Sequence, residues 1–347
     1  MDVLRIFDNP NLGSYYKFLV KYEKEYKVRL SKEQEQIVEF ISKKLASGKR
    51  VHELELINIL LKKKSSYSSD NIIADFEKEL KEKYDIRITD KQINNIINVL
   101  TNEFPAGSGK NTYASCVFLE KQMALDEYAF IKRIENYNKQ LNIEFYGYDI
   151  SDNFAKMLEN DSFYEIVKEL IEFGISRYKL NYADKYKNTD LVLYQKYTYE
   201  DVCRLLNWEH NEVPLNIGGY KFDKITKTFP VFINYDKDEN ISDTTKYEDH
   251  FTSNHSLIAI SKSGRSIESE DVQNFIKAKE RGIEVELFVR KNKDDKISKE
   301  FYYLGGMTAT GNTLEFTMPN TDKMAVEIEW ALDVPVRDDI YEYITQE

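Results

Sequence analysis

Cysteine is nearly absent from this 347-residue chain. The two that occur, Cys116 and Cys203, lie far apart with no Cys-x-x-Cys spacing, which argues against a disulfide framework or a thiolate metal site and for a reducing, cytoplasmic setting. Long hydrophobic runs are missing as well. No stretch of about 18 apolar residues is present, so no membrane span is expected, and Met1-Asp2-Val3-Leu4-Arg5 does not open a secretory leader. Histidine is scarce: His52, His210, His250 and His255 form neither an HxxxH pair nor an HExxH motif. His250 and His255 are five apart beside Glu248 and Asp249 in an expected loop, and would have to converge with a fourth ligand to hold zinc. There is no Gly-x-Ser-x-Gly elbow, since Ser261-Lys-Ser-Gly-Arg265 has the wrong order. The loop Pro105–Thr112 imitates a phosphate loop but puts Phe104 where the first glycine belongs and Asn111 where the magnesium-binding hydroxyl belongs. No catalytic residue, metal ligand or cofactor site is expected in this chain.

An excess of basic charge is also lacking. Residues 191–347 carry 19 Lys and Arg against 29 Asp and Glu, a net charge of −10, while residues 1–190 are nearly balanced. General affinity for a nucleic-acid backbone is therefore expected to be weak, and any such contact must be local.

What is present divides in two. Residues 1–190 read as helices. Ser31-Lys-Glu-Gln34 is a capping-box pattern ahead of Ile37, Phe40, Ile41 and Leu45 at helical spacing. Leu54–Leu61, Ile72–Leu80, Thr89–Leu100, Asp126–Leu141 and Asp161–Tyr178 follow as further helices, which predicts an all-α bundle. From residue 191 the texture changes. After a short helix at Tyr199–Leu206, strands are expected at Phe229–Tyr235, Leu257–Ser261, Glu284–Arg290, Phe301–Leu304, Leu314–Met318 and Ala325–Leu332, with one helix over Asp271–Arg281. Short strands separated by turn signals predict a β-barrel or sandwich. The fold class is α+β: a helical domain over 1–190 and a barrel domain over 191–347.

Tyrosine is plentiful, with 25 residues. Tyr15, Tyr16, Tyr22 and Tyr26 suit a half-buried helix face. Tyr220, Tyr235, Tyr247 and Phe251 flank expected strands, where they either fill a barrel rim or stack on an unpaired base. Lys221, Lys224 and Lys227 recur at every third position across a turn, and Lys262, Ser263 and Arg265 form a second basic stretch with free backbone N–H groups, so both are candidate phosphate contacts.

An ordered series ties these segments together: Asn216-Ile-Gly-Gly-Tyr-Lys-Phe222, Thr228–Asp236, Ile241–Phe251, Ser261–Ser266 and Glu300–Gly305. Over roughly residues 196–345 it resembles the C-terminal target-recognition region of the SauUSI-like type IV restriction enzymes, in which a phospholipase-D-like nuclease precedes a superfamily 2 helicase and which act in antiphage defence on modified DNA. Neither helicase motifs nor an HxK nuclease motif occurs here. The resemblance implies a non-catalytic piece with an SRA/PUA-like barrel that binds duplex DNA containing 5-methylcytosine or 5-hydroxymethylcytosine by flipping the base. Its partners would be the helicase and nuclease domains of the parent enzyme, which would also hold the ATP and divalent metal. The implied base pocket is Tyr220, Tyr235, Tyr247, Glu248, Asp249, Phe251 and Ser261, with Asp249 or Glu248 accepting from the cytosine N4 amino group. The implied backbone contacts are Lys221, Lys224, Lys227, Lys262, Ser263 and Arg265. The rival expectation is an assembly module, its helical half a homodimer contact and its barrel docked on the helicase.

Overall fold

A computed structural model describes residues 30–62, 72–101, 119–123, 146–209, 212, 217–236, 249–292, 299–318 and 322–346. The chain divides into two compact units, Met1–Ala183 and Asp184–Glu347. No helix among the described residues is long and apolar enough to cross a membrane.

In the first unit, α1 (Lys32–Phe40) starts on the capping box. Ser31 Oγ accepts from the Gln34 N–H (3.2 Å) and Gln34 Oε1 accepts from the Ser31 N–H (2.9 Å). The helix runs on as a π-turn over Ile41–Leu45. Then come α2 (His52–Lys62), α3 (Ile72–Tyr84), α4 (Asp90–Thr101), β1 (Leu119–Met123), β2 (Tyr146–Ile150), α5 (Asp152–Met157) and α6 (Asp161–Asn181). The turn into α2 presses on α6 at Gly48, whose φ is +74° and where a Cβ would lie 2.6 Å from the Gly174 carbonyl oxygen. Only glycine fits there. The expectation of an all-α first half is corrected: β1 and β2 pair antiparallel, Leu119 opposite Ile150 and Met123 opposite Tyr146. Tyr-Gly-Tyr-Asp-Ile has the aromatic and β-branched content of a strand, too short to stand out among helices. The Asp126–Leu141 helix, the Pro105–Thr112 loop and Tyr15, Tyr16, Tyr22 and Tyr26 lie outside the described residues.

The second unit contains β3 (Lys196–Tyr197), α7 (Tyr199–Leu205), β4 (Thr228–Asp236), β5 (His250–Ser253), β6 (Ser256–Ile260), α8 (Glu270–Ile276), α9 (Ala278–Arg281), β7 (Glu284–Asn292), β8 (Phe301–Thr317), β9 (Met324–Leu332) and α10 (Asp338–Thr345). The strands form one sheet in the order β4-β7-β8-β9-β6-β5, with β3 joined to β8. Among the described residues only β4 and β7 run parallel. β4 is buried on both faces, as parallel strands usually are. Phe229, Val231 and Ile233 enter the main core, and Phe232 meets Phe288, Phe301 and Tyr199 on the opposite face. Helix α8 supplies the core's centre: the Phe275 ring stacks on Phe229 at 4.0 Å and meets Trp330 edge-on at 5.2 Å.

Four further expectations are corrected here. Among the described residues the barrel is not closed by hydrogen bonding, since no ladder joins edge strand β4 to edge strand β5. The sheet instead curls until its edges meet through side chains, with the Tyr235 ring of β4 stacked on Phe251 of β5 at 5.7 Å. The single helix over Asp271–Arg281 is two, broken at Lys277 (φ −102°, ψ 19°) so that Phe275 and Ala278 both reach the core. Phe301–Leu304 and Leu314–Met318 belong to one 17-residue strand, which switches partner from β7 to β9 near Gly306. His250, expected in a loop, begins β5.

Candidate nucleic-acid interface

The chain between Ile217 and Thr228 folds back along the free edge of β4. Gly219, at φ +93°, turns it so that its carbonyl accepts from the Phe232 N–H (2.6 Å) and Tyr220 bridges Val231. Tyr220 is therefore only 6% exposed, its ring edge-on to Phe229 and Phe275. Its hydroxyl donates to Asp271 Oδ2 (2.9 Å) and accepts from the Lys262 N–H (2.9 Å). Burial pushes the phenol's pKa up, so it stays protonated at neutral pH.

Over this buried ring lies an open cleft of about 480 Å³. Phe222 and Phe229 add to its aromatic floor, and Lys221, Lys224 and Arg265 stand around it. Each of these three cations is paired with a carboxylate of the chain: Lys221 with Glu212, Lys224 with Glu270 (3.6 Å) and Arg265 Nε with Asp271 Oδ2 (2.7 Å). The Lys224–Glu270 pair is more than three-quarters exposed and worth little by itself. Burial opposes the charge of Asp271, but the hydrogen bonds from Arg265 and Tyr220 outweigh it and hold the carboxyl below its ordinary range.

The expected site residues thus separate into groups. Tyr220, Lys221, Lys224, Lys262 and Arg265 come together on this cleft. Lys262 takes a different part from a phosphate contact: its ammonium donates to the Ile217 and Tyr220 carbonyls (both 2.8 Å) and sits 4.5 Å from the Tyr220 ring centre. Burial lowers its pKa, and its place is to hold the 217–220 segment onto the end of β6. Lys227 is exposed at the turn before β4, at φ +56°, with its carbonyl accepting from the Glu284 N–H (2.9 Å). Ser263 is exposed in the turn beside Gly264. Tyr235 and Phe251 form the stack between the sheet edges, and Phe251, 8% exposed, also packs edge-on against Tyr341. Asp249 Oδ1 accepts from the Ile260 N–H (2.8 Å), and the buried Ser261 Oγ accepts from the Val326 N–H (2.9 Å), so both brace β6. Tyr247 and Glu248 lie outside the described residues. Asp271, Glu270 and Phe222 are site residues that sequence reasoning missed. The two acids read as an ordinary first helical turn, and no spacing rule ties Arg265 to Asp271.

Among the described residues no three His, Cys, Asp or Glu side chains are grouped as a metal site requires. Cys203 is buried, and that burial pushes its thiol up to about 12, which leaves it inert as a nucleophile.

Residues 1–180 match the family model of a domain of unknown function, DUF8090, and residues 191–344 match that of a second, DUF3427. No curated protein matches the chain. Among solved structures, the crystal structure of KRYPTONITE in complex with mCHG DNA and SAH is similar at a TM-score of 0.30 and 9% identity, over 47% of this chain and 38% of that one. The match therefore spans well under half the length of that chain.

Proposed function

The chain belongs to the DUF8090 family, which carries no assigned activity, and from that premise we propose that its second unit binds duplex DNA and reads a modified cytosine. The observation that supports this reading most is the aromatic-floored cleft ringed by Lys221, Lys224 and Arg265. In a unit whose net charge is strongly negative, three cations gather at one place and each is held by an internal carboxylate. At the exposed Lys224–Glu270 pair a phosphate can replace the carboxylate with little loss, whereas the surrounding acid repels DNA everywhere else. An acidic protein with a local, exchangeable cationic site suits selective reading better than general DNA retention.

In this reading the chain is the target-recognition region of a type IV restriction system and cleaves nothing itself. Helicase and nuclease domains of a parent enzyme supply ATP hydrolysis, divalent metal and cutting. The modified base, 5-methylcytosine or 5-hydroxymethylcytosine, is taken out of the stack, at a cost of a few kcal/mol that aromatic contact offsets. The methyl group adds only about 1 kcal/mol of apolar burial, so unmodified DNA binds about fivefold more weakly.

Gel shifts with matched duplexes, modified and unmodified, test this at fixed salt. The modified duplex is expected to bind more tightly, and Arg265→Ala combined with Lys224→Ala to weaken both complexes by about tenfold and flatten their salt dependence. Equal or absent binding would sink the reading and leave the assembly module as the better account. A second expected outcome is that Glu212→Gln with Glu270→Gln, which frees Lys221 and Lys224, raises affinity for any duplex several-fold and steepens its fall with salt. Unchanged affinity in that variant would remove these lysines from the interface.

A further inference from the structure

The second unit has another hollow, of about 390 Å³, that shares no lining residue with the cationic cleft. Its floor is built across three neighbouring segments. Glu286 of β7 is the register partner of Gly306 in β8, and the Gly306 carbonyl accepts from the Asp333 N–H (2.9 Å). Residues directly opposite in adjacent strands share a sheet face, so two carboxyls flank a glycine. The glycine makes room for the Asp333 carboxylate. A Cβ there would lie 2.5 Å from Asp333 Oδ2, in the space this carboxylate fills.

The two acids are not equivalent. Asp333 is neutralised by Lys187 and accepts from the Tyr186 hydroxyl (3.3 Å). Glu286, 4% exposed, accepts at Oε2 from the buried Tyr303 hydroxyl (2.6 Å). Among the described residues no cation pairs with it, and its other oxygen accepts no hydrogen bond. The ionisable side chains lining the hollow are Lys187 and Lys279 against Glu284, Glu286 and Asp333, one positive charge short when all are ionised. Ile283 and Met307 give it apolar walls.

We infer that this hollow binds a small organic cation whose N–H groups bond to the Glu286 carboxylate: an amidinium, guanidinium or ammonium group. A carboxylate buried without a counter-ion is costly to keep, and a monocation both balances the lining and uses the unoccupied acceptor. Glu284 and Asp333 favour its entry, while Lys187 and Lys279 limit the site to a single charge. Burial, reinforced by Glu284 and Asp333 and opposed by Tyr303 and Lys187, holds the Glu286 carboxyl at about 7. Cation uptake near neutral pH therefore releases a proton. This inference is independent of the DNA reading.

The test uses the full chain labelled with ¹³C-methyl methionine, titrated with acetamidinium and with its neutral isostere acetamide at pH 6 and pH 8. The Met307 methyl signal, assigned through Met307→Leu, is expected to shift saturably with acetamidinium and not with acetamide. Affinity should be about tenfold higher at pH 8, as the ionised fraction of Glu286 rises from about one-tenth to nine-tenths. Glu286→Gln, which keeps an acceptor for Tyr303 but carries no charge, should bind at least tenfold more weakly and without pH dependence. Equal response to the two probes, no saturable shift at pH 8, or the same pH profile in Glu286→Gln overturns the inference. The first two comparisons need only the wild-type chain.

Discussion

Replacing Phe229 by alanine is expected to cost the second unit about 3–5 kcal/mol, the range for emptying a large aromatic from a packed core. The ring is fully buried, stacked face-on with Phe275 at 4.0 Å and in contact with Tyr220 and Phe222. Neighbouring rings of this size cannot collapse into the void without moving α8. The same ring underlies the cationic cleft, so the loss should also loosen Tyr220 and its hold on Asp271. Both tryptophans, Trp208 and Trp330, lie in this unit, so fluorescence during urea unfolding of the full chain follows it alone. Phe222→Ala, at a partly buried position, should cost less than half as much. A Phe229→Ala loss below about 1 kcal/mol would mean that the stack is not central to the core.

The second large effect is a stabilisation. The Glu286 carboxyl is held near 7 in the folded chain, against an ordinary value of 4.5, chiefly by burial. The native state therefore binds this proton more tightly than the unfolded chain does. Unfolding free energy should fall as pH rises from about 4.5 through about 7, and stay lower above that. The gap corresponds to roughly 3 kcal/mol at most. Glu286→Gln removes the penalty, so the variant should match the wild type near pH 4 and exceed it by up to about 3 kcal/mol at pH 8. Urea midpoints at the two pH values, read by the same fluorescence, provide the check. Parallel behaviour of wild type and variant would show that Glu286 pays no burial penalty.

How much of this was readable in the chain depends on whether the deciding interaction was local. The capping box at Ser31 and Gln34 involves residues three apart and formed as written. The strand at Phe229–Tyr235 announced itself by composition, but its parallel pairing with β7, some fifty residues on, left no local mark. A break at Lys277 is invisible to helical spacing, because it is imposed by two core contacts on either side. At the site, Lys221, Lys224 and Arg265 could be gathered from turn chemistry. The inward ring of Tyr220 and the tethered ammonium of Lys262 could not, since both depend on segments 42 and 45 residues apart meeting. Glu286 reads as one more polar residue in an alternating strand. Its burial arises from Gly306 and Tyr303 in another strand and from Asp333 beyond a third.

The stack of Tyr235 on Phe251 is a contact between the two edge strands of the curled sheet. A cylinder joined by a full backbone ladder has one girth, because any change breaks directional bonds in series. Two rings in contact set no such fixed length. Ring contacts lose little attraction over displacements of a few tenths of an ångström, whereas at Tyr220 the edge of β4 is tied to Lys262 by hydrogen bonds. Where Tyr235 meets Phe251, the girth of the curled sheet is thus set by the size of two side chains rather than by the spacing of a strand pair.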